Sequence, residues 1–176
     1  MKQTNEIKNN CIDKGIEELL NEIRDAQIYY GSSWKLLSYS TLCLTLIYKG
    51  NQLANLAHSK KDSGTLRNAI MDLTNYSMFT YNKQTNDQAS VEDLIKKVGK
   101  EIKDRSNGIG HLWTGWGMDN SIEWMMVKCA RIRCMIETDK ICDRLHDSVK
   151  DIFGYGVLAL AKIHIDKLNH GETKKP

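Results

Sequence analysis

The chain is short of proline, of aromatics and of paired cysteines, and each shortage excludes something. It holds one proline and only 7% aromatics in 176 residues. With little valine besides, that composition argues against a β-sheet protein. The five cysteines (Cys11, Cys43, Cys129, Cys134 and Cys142) are odd in number and contain no C-x-x-C spacing. A secreted disulfide framework is therefore not expected, a reducing cytoplasm is the better expectation, and structural zinc is disfavoured. The first ten residues are polar, so no signal peptide is expected, and no apolar run approaches membrane-spanning length. Charge of one sign is also lacking. A formal net charge of +3 is too mild to argue by itself for duplex nucleic acid. His111 and His146 have no evident Ser or Cys partner, and Gly108-Ile109-Gly110 is too short for a phosphate loop.

What the chain does have is an internal echo. Shifted by 79 positions it lies over itself without a gap. Trp34 falls on Trp113, Lys49 on Lys128, Asp72 on Asp151 and Tyr76 on Tyr155. Glu22 falls on Glu101, Asp25 on Asp104, Gly31 on Gly110 and Lys83 on Lys162. Chance would match about one position in fifteen at ordinary residue usage, and Trp is rare enough for a Trp pair to weigh heavily. Two copies are too few for an open solenoid. They predict a fused pseudo-dimer: an all-α, six-helix globule made of two three-helix pseudo-repeats. Its 176 residues suit a single domain, with repeat one over 11–83, repeat two over 90–168 and a loose tail over 169–176.

Apolar periodicity predicts helices near 11–30, 41–58 and 65–82 in the first copy and near 91–106, 120–137 and 140–168 in the second. Gly31 suits a helix stop, Ser40 an N-cap, Asp62 or Ser63 a second cap, and Ser90 a third. Residues 82–89 read as the linker between copies.

Two lysines break the apolar stripes. Lys49 sits in the series Leu42, Leu46, Lys49, Leu53, Leu56, and Lys128 stands between Met125 and Ile132. An inward ammonium needs an anion, and Asp72 and Asp151 are the candidates. One reading is an ion pair that fixes helix register. The other is a lysine that meets a ligand phosphate while Asp holds a metal or acts as a base. The second copy adds Arg131 and Arg133 near Lys128, Glu123 before it, and Asp143, Asp147 and Asp151 spaced by four on the last helix. Clustered carboxylates facing cations could hold Mg²⁺ and a polyphosphate; otherwise they are a solvated acidic face. Trp34 and Trp113 either plug the junction of three helices or offer a shelf on which a base stacks.

The run Tyr30-Gly31-x-Ser33-Trp34, then Lys49, then Asp72-Leu73-Thr74-Asn75-Tyr76, resembles the nucleotide modification associated domain 1 family. The family motif reads Asp-Tyr-Gly-x-Ser-Trp-Arg, an acid ten residues after the Trp, then Lys-x-x-Arg-Ile and a late Asp-x-x-Asn-Tyr. Some relatives carry the unit twice at about this length. The resemblance implies nucleotide metabolism of phage or bacterial type, and its charge pattern is similar to that of the all-α MazG-like pyrophosphohydrolases. The chain departs from the motif. Tyr29 and Gly108 replace the leading Asp, Leu44 replaces the acid and Gln52 the Arg of the first copy. The second copy keeps Glu123, Lys128, Arg131, Ile132 and Asp151 but has Gly154 where the first keeps Asn75.

The expected function is thus nucleotide binding, better preserved in the second copy, with weak or no hydrolysis, as in a phage counter-defence protein that sequesters a nucleotide signal. The binding residues expected are Lys128, Arg131, Lys49, Trp113, Trp34, Tyr155, Tyr76, Asn75 and Asp72. A Mg²⁺-dependent nucleotide pyrophosphohydrolase, with the ion on Glu123, Asp147 and Asp151, is the alternative, and a structural helical adaptor the third. The expected partner is a nucleotide or nucleotide-derived small molecule, with no membrane or duplex nucleic acid, and the expected assembly is a homo-oligomer.

Overall fold

A computed structural model describes residues 2–59, 62–85, 89–108, 112–138 and 143–172, without the side chains of 2–4, 29, 30, 143 and 170–172. Among these residues the protein is all helical, with six α-helices and no strand. The helices are α1 (Lys2–Tyr30), α2 (Tyr39–His58), α3 (Ser63–Thr85), α4 (Val91–Gly108), α5 (Met118–Glu137) and α6 (Asp143–Glu172). A 3-10 turn, Ser33–Leu36, joins α1 to α2, and another, Leu112–Gly115, precedes α5. No described helix is long and apolar enough to cross a membrane.

Local sequence explains most of the helix ends. Gly31 takes φ 57° and its N–H bonds the Gln27 carbonyl at 2.9 Å, a left-handed stop that a side chain would strain. Asp62 caps α3 by accepting from the Thr65 N–H at 2.9 Å. Ser90 caps α4 by accepting from the Asp93 N–H at 3.1 Å. The cap of α2 is Ser38 rather than Ser40. Ser38 is extended and accepts from the Thr41 N–H, whereas Ser40 already lies inside the helix. The linker expected over 82–89 is shorter than that. α3 runs on to Thr85, and buried Asn82 donates to the Ala89 carbonyl at 3.0 Å. α1 starts well before residue 11 because nothing in 2–10 breaks it, and the expected tail is helical to Glu172. Residues 173–176, His111, Gly110, Lys140 and Cys142 lie outside the described residues.

α6 is the central helix, packed on α1, α3, α4 and α5; α2 packs on α3 and α5, and α1 on α4. Phe153, Val157 and Leu160 of α6 are fully buried. Buried apolar residues from all six helices form one connected cluster, including Ile12, Leu19 and Ile23 of α1 and Leu42, Leu46 and Leu53 of α2. The α3–α6 crossing is close enough for Gly156 to lie against Thr74. A Cβ there would come within 2.8 Å of the Thr74 methyl. These contacts hold the inner faces of α3 and α6 in place and leave two hollows where each meets a Trp turn.

Candidate functional site

Two cavities open beside the Trp turns. The first, of about 330 Å³, lies among α1, the Trp34 turn and α3. The second, of about 160 Å³, lies among α4, the Trp113 turn and α6. Nine of the eleven residues lining each are 79 positions from a residue lining the other. Glu22 and Glu101 form one such pair, Ile23 and Ile102 another. Trp34 matches Trp113, Asp72 matches Asp151, Tyr76 matches Tyr155 and Asn75 matches Gly154.

The Trp turns are pinned alike. Lys83 Nζ donates to the Lys35 carbonyl at 2.9 Å, and Lys162 Nζ to the Thr114 carbonyl at 3.4 Å. Donor and acceptor are each 79 residues apart. The indoles differ. Trp113 is buried and donates through Nε1 to Ser106 Oγ at 2.5 Å, so it is the plug. Trp34 is half-buried on its cavity wall, stacked on Phe79 with centroids 4.9 Å apart and planes 16° from parallel.

Both inward lysines reach their aspartates. Lys49 Nζ bonds Asp72 Oδ2, and Lys128 Nζ lies 2.8 Å from Asp151 Oδ2. Lys49 also sits 5.1 Å from the Tyr76 ring centroid, within cation–π reach. Asp72 also lines another hollow, of about 330 Å³, with Lys49, Gln52 and Asn55. Beside the second cavity Tyr155 stacks on Trp124, centroids 5.9 Å apart. Burial raises the Tyr155 phenol above its ordinary pKa, the Lys128 charge lowers it and the Asp151 charge raises it further.

Of the residues expected from sequence, Trp34, Asp72, Asn75 and Tyr76 meet in the first cavity, and Trp113, Asp151 and Tyr155 in the second. Lys49 and Lys128 stand behind the two aspartates. Arg131 is exposed and lines neither cavity. The expected metal trio is not assembled. Glu123 and Asp147 are exposed and line neither cavity, Asp151 is turned to Lys128, and no three His, Cys, Asp or Glu among the described residues stand close enough to hold an ion. The Asp143 side chain lies outside the described residues. Sequence reasoning passed over Glu22 and Glu101 as site residues. Their signal was present, since both are acids kept at the 79-residue offset.

The two cavities differ in charge. Glu101 accepts Lys150 Nζ at 2.5 Å, and Arg105 also lines the second cavity. In the first cavity Ala26 stands where the second has Arg105, Met71 at the Lys150 position is buried and lines nothing, no Lys or Arg is in the lining, and Glu22 has no ion pair among the described residues. Comparison with family models, with curated proteins and with solved structures finds no match.

Proposed function

We propose that the protein binds a nucleotide or a nucleotide-derived small molecule, and that it is a tandem member of the nucleotide modification associated domain 1 family. One observation carries the reading: an aromatic wall, Trp34 and Tyr76, stands beside an acid held by an inward lysine, Asp72 and Lys49. An aromatic shelf suits a base, and a lysine that can exchange its carboxylate for a phosphate suits the charged end. The first cavity lies at the lower edge of the ~300–1,000 Å³ usual for small-molecule sites, and the second falls below it. The motif is fuller in the second copy, but the room is in the first.

We further propose that the two copies form a pseudo-dimer about an internal twofold. The 3-10 turns start 79 residues apart, as do α2 and α5. Each helix of one copy packs on its own counterpart: α1 on α4, α2 on α5 and α3 on α6. A Cβ on Gly50 would touch Cys129, its own equivalent, as a position near a twofold axis must.

A thermal-shift and calorimetric panel of nucleotides and cyclic dinucleotides, with and without Mg²⁺, tests the reading. Binding is expected, weakened by Lys49→Met in a folded protein. Unchanged binding with altered melting would make the lysine scaffolding. No binding anywhere in the panel would leave the adaptor reading. Mg²⁺-dependent hydrolysis is the second reading, and the acid pair in each cavity, Glu22 with Asp72 and Glu101 with Asp151, is what favours it.

A further inference from the structure

The outward face of the α2–α5 pair has no charge on one helix and two opposite charges, evenly spaced, on the other. Lys49, paired with Asp72, is the only Lys, Arg, Asp or Glu in the 20 residues of α2, although such residues make up 27% of the chain. The outward row of α2 holds Leu44 at 57% exposure, Tyr48 at 60% and exposed Gln52, each four residues from the next. The outward row of α5 holds exposed Glu123, Val127 at 52% exposure and exposed Arg131, at the same spacing. A cleft of about 110 Å³ opens between the helices, lined by Ile47 and Asn51 of α2 and by Met126 and Ala130 of α5. Leu44 and Tyr48 stand one turn from Ile47 and Asn51, and Val127 one turn from Ala130, so the two rows flank one surface. Large apolar side chains on a face poor in charge have the composition of a contact surface rather than of a solvated one.

The charges on α5 decide what the surface meets. Glu123 and Arg131 stand four residues before and after Val127, and neither forms an ion pair among the described residues. A twofold axis at Val127 lays α5 antiparallel on its own equivalent and sets each Glu123 against the other molecule's Arg131. The α2 row brings no charge to be buried. We propose that this face is a homodimer interface, which receives the same face of a second molecule of this chain, with Val127 at the axis and Leu44 and Tyr48 in the contact. A partner of one sign of charge would set either Glu123 or Arg131 against its like, whereas a second molecule of the chain satisfies both. Two helices of 20 residues, each about 30 Å long and about 10 Å across, present roughly 600 Å² side by side, on the scale of the ~800 Å² per partner that a stable interface buries. The proposal is independent of any ligand.

Sedimentation velocity on the full chain at micromolar concentration is the test. The expected mass is twice the 20.1 kDa of one chain. Val127→Asp and Tyr48→Asp change exposed residues, should leave helicity intact, and should return the mass to that of one chain. Glu123→Arg should weaken the dimer at least tenfold, as should Arg131→Glu, and the two together should restore it, because exchanging both charges rebuilds both pairs. A mass of one chain for the unaltered protein overturns the proposal and leaves the face to a different protein. A dimer that survives Val127→Asp and Tyr48→Asp lies on another face, which overturns it equally. A dimer weakened by each charge reversal and not restored by both overturns the register at Val127.

Discussion

Lys128 and Asp151 illustrate how little a conspicuous ion pair must contribute. The lysine side chain is 14% exposed and the aspartate 36%, so water still screens the pair. A double-mutant cycle of Lys128→Met with Asp151→Asn should give a coupling of about 1 kcal/mol or less, measured by urea unfolding. A coupling of several kcal/mol would mean that the pair holds the fold. Cys129 makes a different residue-scale prediction. Burial pushes its thiol up to about 12, with the Arg133 charge pulling the other way. An unfolded cysteine loses its proton at about 8.5. Between those values the unfolded chain binds fewer protons than the native one. The contribution to stability is therefore full below about pH 8.5 and declines as pH rises toward the native value. Urea midpoints should fall from pH 8 to pH 10, and Cys129→Ala should flatten part of that fall. At pH 8 a thiol reagent should modify exposed Cys134 in the native protein and Cys129 only on unfolding.

At the scale of elements, the close approach of α3 and α6 sets the geometry of both cavities. Gly156→Ala would drive a Cβ to 2.9 Å from Thr74 Cβ, between two buried backbones. Overpacking of this kind costs about 1–3 kcal/mol, and Thr74→Ala in the same chain should recover part of it. Thermal melts of the two variants would check both statements. The helices themselves were legible in the chain because their apolar stripes are long and their caps explicit. Leu42, Leu46 and Leu53 are buried as their spacing requires, and Gly31, Asp62 and Ser90 end or begin helices as their chemistry requires. Lys49 and Lys128 were legible for the same reason, as charges misplaced on an apolar stripe. The cavities were not. A hollow arises where three elements fail to fill space, and periodicity along one helix says nothing of that. Glu22 lies on the polar side of α1, where an acid looks like any solvated residue until the Trp34 turn folds over it. Glu123 and Asp147 misled by the converse route. They have the right spacing in the chain, yet nothing on a neighbouring helix draws them inward.

For the whole molecule, the question is whether the two cavities beside the Trp turns belong to an enzyme or a receptor. Metal-assisted hydrolysis needs enough carboxylates at fixed positions to hold an ion and aim a water at the phosphorus. In each cavity two acids are within the lining, and in each one of them, Asp72 or Asp151, is already bonded to a lysine. In the second cavity the other acid, Glu101, is taken as well, by Lys150. Recruiting these groups to an ion would first require parting Asp72 from Lys49 and Asp151 from Lys128, which bridge α2 to α3 and α5 to α6. Binding makes a smaller demand: a ring against Trp34 and a charged end at Lys49. Turnover of nucleoside triphosphates with Mg²⁺ or Mn²⁺ is therefore expected to be slow or undetectable while binding persists. Pyrophosphate release from a panel of standard and modified nucleotides measures it. Robust release abolished by Asp72→Asn or Asp151→Asn would overturn the receptor reading, and would show that the acid pairs yield to an ion when substrate arrives. Binding without release, weakened by Lys49→Met, would mean that the protein recognises a nucleotide and does no chemistry on its phosphates.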